Sequence, residues 1–148
     1  MFKRHINQRL HEEHDATLAL WGKVERSLAS GKTDLGLLYG AAAALGHEVA
    51  HHFDFEETAL FPRLAAAGEG DLGELLAEEH VAIRAAAKRF AELMRSDPSH
   101  AHVRPLALEL AERLASHIQK EEMSLLPALE DLLDDEADGQ LAARYAAA

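Results

Sequence analysis

At 148 residues the chain is long enough for one domain that buries its own core without covalent staples. Ala, Leu and Glu are abundant, and aromatic and β-branched residues scarce, which favours helices over sheet. A formal charge of −11 argues against nucleic acid as a partner, no apolar run approaches a membrane span, and the lack of cysteine removes disulfides, thiolate metal sites and Cys nucleophiles together.

The N-terminus, Met1-Phe2-Lys3-Arg4-His5-Ile6-Asn7, has no apolar signal region, so a cytoplasmic location is expected. A first helix is predicted from about Asn7 to Ser30, with Leu10, Leu18, Trp21, Val24 and Leu28 on one stripe that also contains His14. Ser30-Gly31-Lys32-Thr33-Asp34 supplies a Gly stop and then the next N-cap. The second helix should span Leu35 to Ala66, kinked or ended by Pro62. After Ala67-Gly68-Glu69-Gly70-Asp71, a third helix is predicted from Leu72 to Arg95. It carries Leu72, Leu76, Ile83, Ala87, Phe90 and Met94 on the face of His80. Ser96-Asp97-Pro98-Ser99 breaks it. The fourth helix should run from Ala101 to Asp134, with Pro105 in its first turn and Leu106, Leu110 and Leu114 leading into His117. The tail after Asp138-Gly139 reads equally as a short fifth helix or as frayed chain. Short loops between long helices predict an all-α, antiparallel up-down-up-down four-helix bundle in a single domain, residues 1–148.

That domain contains a repeat. His52-Phe53-Asp54-Phe55-Glu56-Glu57, continuing to Leu60-Phe61-Pro62, matches His117-Ile118-Gln119-Lys120-Glu121-Glu122, continuing to Leu125-Leu126-Pro127, at an offset of 65 residues. Upstream, Glu12-Glu13-His14 matches Glu78-Glu79-His80 at an offset of 66. The chain is therefore two pseudo-repeats, about 7–66 and 72–134. Residues i and i+4 of a helix lie about 40° apart around its axis, so His52 with Glu56, and His117 with Glu121, share a face. These faces are otherwise Leu, Val and Ala, and a carboxylate buried there is costly without a compensating cation. No Lys or Arg is duplicated at matching core positions. His14, His52, Glu56, His80, His117 and Glu121 are thus candidate metal ligands. Six exceed what one zinc ion takes, about four, and suit two first-row metals such as iron. Glu57 and Glu122 are offset by about 100° from their neighbours, and are expected behind the ligands or in solvent.

On these motifs, from Leu10 to Leu129, the sequence resembles the hemerythrin-like (HHE) domain family. The resemblance implies a non-haem di-iron centre with an oxo or hydroxo bridge, four terminal His ligands, and Glu56 and Glu121 bridging. Oxygen-carrying hemerythrins have a second His one turn before the position of His80; here it is Leu76. With about six positions on each iron, roughly two of the twelve stay open, which fits reaction with, or sensing of, O2, NO or peroxide better than reversible carriage. The four-His, two-Glu set is similar to the bacterial iron–sulfur-repair and nitric-oxide-response branch. The cysteine-bearing N-terminal domain of that branch has no counterpart in these residues, which argues against repair. The expected partners are a diatomic or peroxide ligand and an electron donor. A sensing module without turnover is the alternative.

One rival shares the second helix. His47-Glu48-Val49-Ala50-His51 matches the H-E-x-x-H pattern of zinc peptidases. Its counterparts 65 residues on are Glu112, Arg113 and Ser116, so the repeat does not keep it, and it turns away from the His52/Glu56 face towards solvent. The Glu-x-x-His spacing of ferritin-like di-iron proteins occurs only here, so that architecture is disfavoured. His5, His11, His100 and His102 read as surface or terminal residues, and Trp21 as core.

Overall fold

The computed structural model describes residues 2–148, and the described residues form helices with no strand. Helix α1 is His5–Ala29. Helix α2, residues 35–66, is continuous but not uniform. It comprises Leu35–Glu48, two π-helical turns at Val49–Phe53 and Glu56–Leu60, and a last α-helical piece, Phe61–Ala66. Helix α3 is Gly70–Ser96. Helix α4, residues 103–132, has one π-helical turn, Glu121–Leu125, between Val103–Lys120 and Leu126–Leu132. Helix α5 is Asp135–Ala147, so the C-terminal tail is helical through Gly139.

Local chemistry explains these limits. Gly31 at φ +78° and Gly68 at φ +83° take the left-handed conformation just past α1 and α2, where a Cβ would be strained. Asp34 caps α2 by accepting from the Leu37 N–H, and Asp134 caps α5 by accepting from Ala137. Neither Pro62 nor Pro127 ends its helix. A proline lacks the N–H and crowds the carbonyl one turn back. In both repeats the helix widens into a π-helical turn just ahead of the proline and then continues.

The four long helices pack in a closed ring, α1 on α2, α2 on α3, α3 on α4 and α4 back on α1, and α5 lies against α1. Two apolar clusters fill the interior. One holds Trp21, Val24, Leu28, Leu45, Phe53, Ile83, Phe90 and Leu114; the other holds Ile6, Leu10, Leu60, Leu76, Leu125, Leu126, Leu141 and Tyr145. Each long helix passes from one cluster to the other, and its buried His lies at the crossing. Leu18 departs from its expected place, being 39% exposed: it sits on the rim of the α1 stripe, where no neighbouring helix covers it. On α3 the buried alanine is Ala86 rather than Ala87.

The start of α1 is capped from elsewhere in the chain. Arg4 gives no side-chain cap. Instead Asp138 of α5, 3% exposed, accepts from the His5 and Ile6 N–H groups at 2.8 and 3.0 Å. Glu130 of α4 accepts from Lys3 and Arg4, both at 2.8 Å. Burial works to raise the Glu130 carboxyl, but these N–H groups and Asn7 hold it below its usual pKa. Asp138→Ala would leave the buried Ile6 N–H and the part-buried His5 N–H without their partner, a loss of about 1–2 kcal/mol by analogy with a lost N-cap. Urea unfolding should show a lower midpoint at unchanged slope; an unshifted midpoint would mean that Asp138 caps nothing of consequence.

Candidate metal centre

The six residues singled out by the repeat converge between the two apolar clusters. His14, His52, Glu56, His80, His117 and Glu121 are each no more than 2% exposed. Glu121 is central: its Oε1 lies 2.8 Å from His14 Nε2 and 3.8 Å from His52 Nε2, and its Oε2 lies 3.0 Å from His117 Nε2 and 3.8 Å from His80 Nε2. Glu56 reaches His52 Nε2 at 3.2 Å and His80 Nε2 at 3.1 Å with its two oxygens. Ligand-type atoms of His14, His52, Glu56 and Glu121 all lie within 4.8 Å of one another, as do those of Glu56, His80, His117 and Glu121. The two carboxylates belong to both groups, so the arrangement is two half-sites sharing Glu56 and Glu121.

The donor set fits a cation better than it fits itself. Glu56 Oε1 and Glu121 Oε2 are buried without a hydrogen bond, although imidazole nitrogens approach each at about van der Waals range or closer. His80 Nε2 and His117 Nε2 face each other at 3.1 Å, two lone-pair atoms aimed at common space. Among the described residues no lysine or arginine is buried. Buried carboxylates so placed are costly unless a positive charge joins them. The same pull shows in the imidazoles. Burial opposes charge on all four, yet Glu121 and Glu56 lift His80 to about 9 and raise His52 and His117, and Glu121 with Glu122 raises His14. Burial opposes charge on Glu121 too, and the four imidazoles nevertheless hold it well below the usual carboxylate range. The site favours positive occupants.

Behind each imidazole stands another carboxylate, and these pairs cross between helices. His14 Nδ1 donates to Glu122 at 2.6 Å, His52 Nδ1 to Glu13 at 3.0 Å, His80 Nδ1 to Glu57 at 2.6 Å and His117 Nδ1 to Glu79 at 2.8 Å. A carboxylate on Nδ1–H fixes the tautomer and leaves the Nε2 lone pair facing the centre, the usual support of a metal-bound His. Glu57 and Glu122 are therefore engaged behind the ligands rather than solvated. Glu13 and Glu79 were visible in the sequence as shared neighbours of His14 and His80, with no role assigned. Their partners are His52 and His117, across the bundle. His11, expected at the surface, donates its Nδ1–H to Glu122 at 2.6 Å. Arg84 reaches Glu57 at 2.5 Å.

The π-helical turns coincide with this chemistry. His52, Glu56 and Glu121 all lie in them. Such turns are rare and concentrate at functional sites because they re-aim side chains within a helix. Phe53, in the first of them, stacks on His80 with ring centroids 3.8 Å apart and planes at 5°; Phe61 covers the same imidazole from 5.5 Å.

The H-E-x-x-H segment does not assemble a zinc site. His47 is exposed, and among the described residues it joins no group spaced for a metal, nor does His51. His51 is half-buried rather than solvent-facing. Its ring stacks on Tyr145 at 4.3 Å, and its Nε2–H donates to the Tyr145 carbonyl at 3.2 Å. Glu48 turns inward, 3.2 Å from His52 Nδ1, and burial pushes its carboxyl up. A peptidase needs that glutamate beside the two histidines and the metal they hold. Trp21 packs in the core against Phe90, as expected.

The family model described as the hemerythrin HHE cation binding domain matches residues 5–129. No curated protein matches the chain. The matched span contains all six buried His and Glu residues and stops before α5.

Proposed function

The chain belongs to the hemerythrin HHE cation-binding domain family, and from that premise we propose that it is a non-haem di-iron protein which binds or reacts with O2, NO or a peroxide. The single observation that carries the reading is the pair of buried, unsatisfied carboxylate oxygens, Glu56 Oε1 and Glu121 Oε2, shared between two pairs of imidazoles. His14 and His52 would hold one iron and His80 and His117 the other, with Glu56 and Glu121 serving both. Two irons so held supply a redox pair for a small oxidant, fed by an electron donor. The residues supply the rest. The outer carboxylates hold the Nε2 lone pairs inward, and Leu10, Leu76, Leu60 and Leu125, each fully buried, keep bulk water off one end of the site. Leu76 in place of a fifth His supports reactivity or sensing over carriage. The ring of helix contacts and the short loops support an antiparallel up-down-up-down course, with α5 appended. No described helix is long and apolar enough to cross a membrane, and a cytoplasmic setting is proposed with the rest.

Metal analysis joined to an optical spectrum tests this. Two irons per chain, with a visible band that changes on exposure to O2 or NO, is the expected result; one zinc and no visible band would overturn it. Catalytic consumption of peroxide or NO would mark an enzyme. A metal-dependent melting shift without turnover would mark a sensor. His47→Ala should keep both irons and the spectrum of the parent protein, whereas a zinc peptidase would lose metal and activity together.

A further inference from the structure

The four outer carboxylates form two equivalent pairs under the repeat, Glu13 with Glu79 and Glu57 with Glu122, but the groups behind the first pair are not equivalent. Glu79, behind His117, is met by the ammonium of Lys120, a side chain that is 46% exposed. Its counterpart Glu13, behind His52, accepts from Arg9 Nε at 2.9 Å on one oxygen and from the Tyr145 hydroxyl on the other. That second oxygen, Oε1, is also the one that accepts from His52 Nδ1. Tyr145 comes from α5, beyond residue 129 where the family match stops, and nothing in the repeat corresponds to it.

Tyr145 is built in place. It is 1% exposed, stacked on His51 with planes at 4°, tilted against Phe55 at 4.7 Å and covered by the Arg9 guanidinium at 5.8 Å. Asp138 ties the same helix to the start of α1. The hydroxyl cannot swing away without breaking these contacts. A competitor stands nearby: Glu48 lies 3.2 Å from His52 Nδ1 and makes no hydrogen bond to it. Two carboxylates could therefore take the His52 proton, and the hydroxyl meets only Glu13.

We propose that Tyr145 is a positioning residue for the His14/His52 half of the centre. Its hydroxyl holds Glu13 in place, and Glu13 holds His52 with Nδ1–H outward and the Nε2 lone pair inward. This rests on the metal-centre reading and adds that two halves with matching ligands differ in the layer behind them.

Tyr145→Phe removes the hydroxyl and keeps the stacked ring. The probe is Co(II), titrated into the wild type and the variant. The readouts are absorbance and the paramagnetically shifted imidazole N–H resonances of the four histidines. The variant should bind one of two Co(II) equivalents about tenfold more weakly, the lower end of the usual effect of losing such a support. The His52 N–H resonance should move while the other three hold, and the melting temperature after chelation should match that of the wild type. Lys120→Met, the comparison on the other half, should move the His117 resonance and spare that of His52. Unchanged affinities with an unmoved His52 resonance would overturn the proposal. So would a uniform shift of all four resonances with a lowered melting temperature, which would make Tyr145 a packing residue only. A wild-type protein that takes up no Co(II) would overturn the metal reading itself, and this proposal with it.

Discussion

Glu121→Ala is expected to reduce bound metal from two ions per chain to less than one. Among the described residues no other carboxylate lies within 4 Å of all four imidazole Nε2 atoms. Its removal leaves each half-site with two His and a share of Glu56, too few donors for a first-row ion that takes about four to six. The stability consequence has two parts. A ligand present at a thousandfold over its Kd stabilises the folded state by about 4 kcal/mol. In a domain of this size each kcal/mol is worth about 2–4 °C, so the metal-dependent rise in Tm, on the order of 10 °C, should vanish in the variant. Separately, the imidazoles hold this carboxylate well below the usual range, so their attraction outweighs its burial, and its removal leaves buried imidazoles unpaired. After chelation the variant should therefore melt below the chelated wild type. Calorimetry with and without chelator, beside metal analysis, checks both parts. Retention of two ions by the Glu121 variant would remove it from the centre.

Phe53→Ala should be the most destabilising single truncation close to the site. Phe53 is 2% exposed, belongs to the apolar cluster around Trp21 and Phe90, and lies flat on the His80 ring with Arg84 at 5.7 Å from its own centroid. Truncating a buried Phe costs about 3–5 kcal/mol through lost transfer energy and the cavity left behind. At about 2–4 °C per kcal/mol the melting temperature should fall by roughly 10 °C. Phe53→Leu, which fills most of the volume without a flat face, should recover most of the stability but leave His80 less firmly held. The discriminating measurement is Tm beside metal affinity. A drop of only a degree or two in the alanine variant would show that the stack carries little.

Much of the centre was legible because its requirements appear as periodicity. A ligand must face inward on a helix, so it falls on an apolar stripe. Because the chain is duplicated, the same offset of 65 or 66 residues selects His14, His52, His80 and His117 with Glu56 and Glu121. The same test set aside His47 and His51. It had nothing to say about which carboxylate supports which imidazole. Glu13 is the sequence neighbour of His14 yet bonds to His52, because a residue one step along a helix points about 100° away and meets a different helix. Adjacency along the chain misleads where partnership is set by packing.

The π-helical turns were hidden for a related reason. Nothing in His52-Phe53-Asp54-Phe55-Glu56 distinguishes a wide turn from an ordinary one. Pro62 was the available signal on the second helix, and it reads as a kink or stop rather than as a helix that widens and continues, while the fourth helix reads as running through Pro127 with no sign of a wide turn. The C-terminal helix was equally undecided, since Asp138-Gly139 looks like a terminator until Asp138 is seen capping α1 and Tyr145 is seen closing over Glu13.

Read alone, the chain specified an all-helical fold and six buried ligand-type residues, because hydrophobic periodicity and a repeat are local, linear properties. The layer behind those residues, the handover of Glu48 from a peptidase pattern to the edge of His52, and the asymmetry that α5 brings to two otherwise matching half-sites emerged only on folding. Each depends on side chains from different helices meeting within about 3 Å, and that distance is set by how the helices pack.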